Sequence, residues 1–147
     1  MPVKVTGPPK GARGDRVDLA LLRRRVHAML LYLGHSKSEL SISLVDDREI
    51  RELNRTWRKR DRSTDVLSFS LMEGGASGHR GDLMGDVVIS VETAAAQAAG
   101  RHRGLDEEVA RLVIHGLLHI LGHDHETEVD ARAMRREQSR LWLEACA

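Results

Sequence analysis

Four of the eight histidines in this 147-residue chain fall within eleven positions, in the segment HGLLHILGHDH at 115–125. His115 and His119 are four residues apart. On a helix that spacing puts both imidazoles on one face, one turn apart, which is the geometry a metal ion needs from two ligands on one helix. Gly122 follows, a residue free to take the left-handed conformation that ends a helix and reverses the chain. His123, Asp124 and His125 lie just past that reversal, and His125 has the better reach back toward the same face. Three neutral nitrogens around one ion, with a fourth position open, is the arrangement of a catalytic zinc site. A closed structural site takes four protein donors, usually with cysteine.

Gly116 narrows the chemistry. A zinc peptidase of the H-E-x-x-H type carries a glutamate directly after its first histidine as general base. Glycine has no side chain to take a proton, though its small size leaves space for a substrate beside an ion. A second set of residues points to an anionic substrate. Residues 48–62 hold seven basic residues against three acidic ones, within a chain whose net charge is only +1. Arg48, Arg51 and Arg55 read as the solvated face of a helix with nearby Glu partners. Arg58, Lys59, Arg60 and Arg62 lie past the helix in a loop, where function concentrates. Arg offers a two-pronged match to phosphate oxygens, and such contacts give affinity without sequence choice.

The elements that must position these residues follow from periodicity. Residues 105–121 read as the strongest helix, with Val109, Leu112, Val113, Leu117 and Ile120 as its apolar stripe. Residues 17–33 read as another helix, capped by Asp15, carrying Arg23, Arg24 and Arg25 and ended by Gly34. Asp46 and Asp47 cap a helix over 48–57 with Ile50, Leu53 and Trp57 on one face. An Ala-rich helix at 92–99 stops at Gly100, and a last helix spans 128–143. Strands are expected at 3–6, around the alternating Leu40, Ile42 and Leu44, at 66–71 and at 87–89. Residues 7–14 and 74–81 read as loops, the latter flexible. The expected fold class is α+β: a small mixed sheet of about four strands packed with about five helices, one of them a zincin-like metal helix.

Composition bounds the rest. This length supports one core, so 1–147 is expected to be a single domain. The near balance of 23 basic and 22 acidic residues excludes a histone-like polycation. The lone Cys146 excludes an internal disulfide framework. No apolar run reaches the length of a membrane span and the first residues lack a signal-peptide core, so a soluble cytoplasmic protein is expected. Four aromatic residues are too few for a base-stacking sheet surface. His27, His35, His79 and His102 read as solvated, and Asp86 as a structural turn residue.

The segment 115–125 resembles the H-G-x-L-H-L-x-G-x-D-H signature of the YbeY family, bacterial zinc-dependent endoribonucleases, departing only at Ile120. LNRTWRKRDRSTDVLSFS at 53–70 is similar to the family's L-N-x-x-Y-R-x-x-D-x-P-T-D-V-L-S-F-P, and GDVVIS at 85–90 to its G-D-[IV]-x-I-S. The departures are Trp57 for Tyr and Ser63 and Ser70 for Pro, which loosen that loop without removing a charge. The resemblance implies one zinc ion per chain held by His115, His119 and His125, with Asp124 orienting a histidine. It implies a catalytic role for Arg58; Lys59, Arg60 and Arg62 are expected from their place in the loop to bind substrate phosphates. It also implies single-stranded RNA as substrate and a role in processing the 3′ end of small-subunit ribosomal RNA and in ribosome quality control.

Two other readings compete. A metallopeptidase would tolerate loss of Arg58, but Gly116 and the cationic loop weigh against it. A non-catalytic, zinc-stabilised ribosome-associated factor would use a closed four-donor site, with His123 or Asp124 as the fourth donor.

Overall fold

The computed structural model describes residues 3–71 and 83–147, so the expected loop at 74–81, with His79, lies outside the described residues. In chain order the elements are β1 (Val3–Thr6), α1 (Leu19–Tyr32), β2 (Glu39–Val45), α2 (Asp47–Arg58), β3 (Val66–Ser70), β4 (Leu83–Ser90), α3 (Val91–Gly100), α4 (Leu105–Ile120) and α5 (Glu128–Ala145). The four strands form one mixed sheet in the order β1-β2-β4-β3. The first three are parallel, pairing Val5 with Ile42 and Ile42 with Val87. β3 runs antiparallel along the edge of β4, with Leu67 opposite Val88. The α+β class with a small mixed sheet is therefore as expected.

The period-2 alternation of β2 sets the layers. Leu40, Ile42 and Leu44 point to one face and join Val87 and Ile89 of β4 in the main core. α4 lies on that face with Val109, Val113 and Leu117 buried, and α1 and α5 close over it with Met29, Leu30, Met134 and Leu141. Burying each such side chain contributes about 1.5–3 kcal/mol, so α4, apolar on most of its circumference, is fixed in the middle of the molecule. The opposite face of the sheet carries a smaller cluster of Val45, Ile50, Leu67 and Val88 under α2.

Two local expectations are corrected. α1 is capped by Asp18, which accepts from the Leu21 N–H, and not by Asp15. The Asp15 carboxylate is taken by the Gly11 N–H at 2.9 Å, which closes the preceding loop on itself. Trp57 does not pack beneath α2; it is 66% exposed. The cluster there ends at Leu53 and Phe69, and the Arg58 guanidinium, 4.9 Å from the ring centre, covers Phe69 instead. Asn54, one residue after Leu53, is the buried residue of that turn.

Candidate metal centre and cationic cleft

α4 brings His115 and His119 to its half-buried side, with their Nε2 atoms 3.2 Å apart and their rings edge-on at 71°. The turn after the helix is closed by two backbone bonds, from the Gly122 N–H to the His119 carbonyl and from the His123 N–H to the Leu118 carbonyl. That pairing is the Schellman arrangement, which requires the positive φ of 99° found at Gly122. The reversal carries His125 back to the helix. Its ring centre lies 5.4 Å from that of His119 and 6.1 Å from that of His115.

The donor chemistry and the 3.2 Å separation match two nitrogens sharing one tetrahedral ion with bonds of about 2.0–2.1 Å. The third ring is exposed and stands further off, so among the described residues no three His, Cys, Asp or Glu side chains stand as a ready-made metal-binding group. Burial, followed by the neighbouring His119, pushes the His115 imidazole below its ordinary pKa. Burial and then His125 do the same to His119, against the main chain of His123 and the Asp124 carboxylate. Both shifts favour the neutral ring, the form that offers a lone pair to a cation.

Gly116 lies between the two helical histidines for a packing reason. A Cβ there would stand 3.0 and 3.2 Å from the two methyl groups of Val87, so glycine lets α4 approach β4 closely. Any side chain at this position would press on Val87, whose methyl groups would have to give by a few tenths of an ångström.

A cleft of about 510 Å³ opens beside these histidines, and Arg58, Arg60 and Arg62 line it together with His115 and His119. Arg58 is the last residue of α2. Its guanidinium donates to the Ser68 carbonyl on β3 and lies over Phe69, which holds it at the cleft wall. The chain then turns through Lys59, which takes a left-handed conformation at φ 59°. Lys59 does not line the cleft; its amine donates back to the Thr56 carbonyl at 3.3 Å. Arg48, Arg51 and Arg55 are exposed, and the last two pair with Asp61 and Glu52, as a solvated face requires.

Several contributors carry no clear signal in the sequence. Asn54 holds the cationic loop: its carbonyl accepts from the Lys59 and Arg60 N–H groups, and its amide donates to the Arg62 carbonyl at 2.9 Å. A polar residue on the inward side of an amphipathic helix was the available clue. Asp65 also lines the cleft, with its carboxylate engaged by the Val66 N–H and the Gln97 amide. Gln138 on α5 lies 2.7 Å from Nδ1 of His115. Asp124, expected to orient a histidine, instead accepts from the Glu126 N–H in its own turn. Asp86 is half-buried within β4, in register with Ser41 and Phe69.

Fold and site together define an α+β domain whose central helix presents histidines to the wall of an arginine-lined cleft, beside the one antiparallel edge strand. A family model described as Endoribonuclease YbeY matches residues 16–145. The chain belongs to that family. It is 49% identical over 133 residues to Endoribonuclease YbeY of Anaeromyxobacter dehalogenans, covering 90% of this chain and 65% of that protein. It is 52% identical over 123 residues to Endoribonuclease YbeY of Aquifex aeolicus, covering 76% of this chain and 79% of that protein. The chain spans 65%, 61% and 45% of the length of the first three curated relatives it matches. The solution structure of TM1509 from Thermotoga maritima matches with a TM-score of 0.59 at 23% identity, covering 97% of this chain and 90% of that one; this likeness shows the fold alone. No helix among the described residues is long and apolar enough to cross a membrane.

Proposed function

We propose that this chain is a single-strand-specific metallo-endoribonuclease that hydrolyses RNA phosphodiesters. The observation that carries the reading is that Arg58, Arg60 and Arg62 line the same cleft as His115 and His119. A cation site alone would suit many reactions; guanidinium groups around it select a substrate rich in phosphate. His115, His119 and His125 would hold one zinc ion. When bound, such an ion supplies Lewis acidity and a nucleophile at neutral pH without a carboxylate base.

The chain's own residues divide the remaining work. Arg60 and Arg62 bind the phosphates flanking the scissile bond, on a loop that Asn54 fixes. Arg58, already anchored on Ser68 and Phe69, turns its free N–H groups to the phosphoryl oxygens as their negative charge grows. Donors placed in advance in this way are worth about 10²–10³ in rate. Gly116 supports a nuclease over a peptidase, because the position directly after the first histidine carries no carboxylate to act as a base. By the resemblance set out above, the RNA is ribosomal, at the 3′ end of the small-subunit RNA, the partner is the small subunit and the location is cytoplasmic.

The test is a cleavage assay on single- and double-stranded RNA with metal content measured on the same samples. Wild type cleaves the single strand, chelated protein and His119→Ala do not, zinc restores only the former, and Arg58→Ala is strongly impaired. Cleavage that survives chelation, or that is indifferent to Arg58, sinks the reading.

A further inference from the structure

Among the described residues, one side chain outside the histidine cluster bonds to any of its three rings: Gln138, on the inner side of α5, one turn beyond the buried Met134. It sits between two hollows, both of which His115 also lines. Its amide nitrogen lies 2.7 Å from Nδ1 of His115, and Nε2 of the same ring lies 3.2 Å from Nε2 of His119. An amide nitrogen only donates. With the amide in this orientation Nδ1 accepts, the ring proton sits on Nε2, and that proton points at His119. The result is a continuous hydrogen-bond chain from Gln138 through His115 to His119, and in it His115 has no lone pair on Nε2 for a cation.

A cation on Nε2 demands the opposite tautomer, with the proton on Nδ1 and an acceptor to receive it. The carboxamide provides one. A half-turn about its last bond puts oxygen where nitrogen stood, with no change in shape. We infer that Gln138 is a positioning residue for His115: its carboxamide oxygen accepts the Nδ1 proton when the cation is bound, fixing the tautomer and the ring's aim. A neutral amide serves both states, because it caps the ring by donation in one and by acceptance in the other. This inference rests on the metal reading of the histidines and adds to it a residue from α5, beyond the motifs at 53–125.

The test measures zinc affinity of the full chain by competition with a chromogenic chelator. Gln138→Met keeps the length and loses the acceptor; it should weaken zinc binding about 10–100-fold. Gln138→Glu keeps an acceptor and loses the donor; it should bind within about threefold of wild type, or more tightly. A space-filling role predicts the reverse order, with Met tolerated and the half-buried charge of Glu costly. The inference is overturned if Gln138→Met binds as wild type does, or if Gln138→Glu is as weak as Gln138→Met. A second readout needs no variant: long-range nitrogen–proton NMR of the wild-type imidazoles, with and without zinc. It should place the His115 proton on Nδ1 in the zinc-loaded protein, and an unprotonated Nδ1 there refutes the inference. If wild type binds no zinc, or His119→Ala binds it equally well, the metal reading falls and this inference with it. If both controls behave and only the Gln138 results fail, the inference alone is wrong.

Discussion

The two ends of α4 treat charge in opposite ways. At the N-terminal end, Glu108 is fully buried and closed off by Arg101 at 2.7 Å and Arg103 at 3.1 Å. Glu107 beside it holds Arg111 at 2.8 Å and Arg103 at 3.4 Å. Arg111 also lies over the Trp142 ring at 4.2 Å, with Arg25 near the same ring at 5.3 Å. Each of these carboxylates is met by guanidinium groups, and the ends of α1, α4 and α5 are tied together. At the C-terminal end, Arg58, Arg60 and Arg62 make no ion pair among the described residues, although Asp61 stands in the same loop. Asp61 is taken by Arg51 instead. One helix thus carries a closed electrostatic joint at its start and an open one at its finish. Uncompensated like charge costs a folded chain some stability. Under the function proposed above, an anionic ligand would offset the charge concentrated at the histidine end.

The largest effect should come from breaking the open end. His119→Ala is expected to reduce RNA cleavage by at least about 10³-fold, a loss of about 4 kcal/mol in transition-state stabilisation. Bound zinc should fall with it, while the thermal unfolding midpoint of the metal-free protein barely moves. Unfolding of the variant would make this end structural and erase the contrast. The closed end should respond in the opposite sense. Arg101→Ala/Arg103→Ala strands the buried Glu108 carboxylate and should cost about 3 kcal/mol of stability, near the lower limit for an orphaned buried charge because the Arg101 side chain is 52% exposed. Denaturant unfolding measures that loss, and cleavage per folded molecule should be unchanged.

How much of this contrast the sequence discloses depends on how local each feature is. The histidine-bearing helix was legible because its apolar stripe and its i, i+4 histidines share one period, and Gly122 announces the reversal that returns His125. The loop arginines were legible because cations beyond a helix end have nowhere to bury. By contrast Gln138 lies twenty-three residues beyond His115, and nothing in its neighbourhood in the chain marks it; only the docking of α5 beside α4 brings them together. Asn54 was inside a recognised segment and still unreadable, since its task is to bond the backbone of a loop whose path periodicity does not give. Trp57 was misjudged for a related reason. Helical phase put it beside Ile50, but Arg58 already covers the ring it would have reached. The cap at Asp18 in place of Asp15 shows two carboxylates competing for two sets of N–H groups, a choice that tertiary contacts decide.

Within the open end the comparison can be sharpened by grading its cations. Arg58→Ala should lower kcat about 100-fold, or about 2.7 kcal/mol, with a much smaller change in KM, because the guanidinium acts on charge that develops during the reaction. Single-turnover kinetics on a short single strand separates the two. An effect confined to KM would demote Arg58 to a binding residue like its neighbours.

Arg60 and Arg62 should show that lesser behaviour. Each phosphate contact to a single strand contributes about −0.7 to the slope of log affinity against log salt. Arg60→Ala/Arg62→Ala should therefore flatten the slope by about 1.4 and weaken binding about tenfold at moderate salt. Lys59 is the internal standard: it lies in the same basic run, but its amine is turned back onto the Thr56 carbonyl and away from the cleft. Lys59→Ala should move the slope by less than about 0.3, as expected for a charge that acts only at a distance through screening solvent. Fluorescence anisotropy over a salt series reads all three chains. If Lys59→Ala flattens the slope as much as either arginine does, binding answers to the net charge of the segment. The cleft would then have no say in which cations the RNA meets.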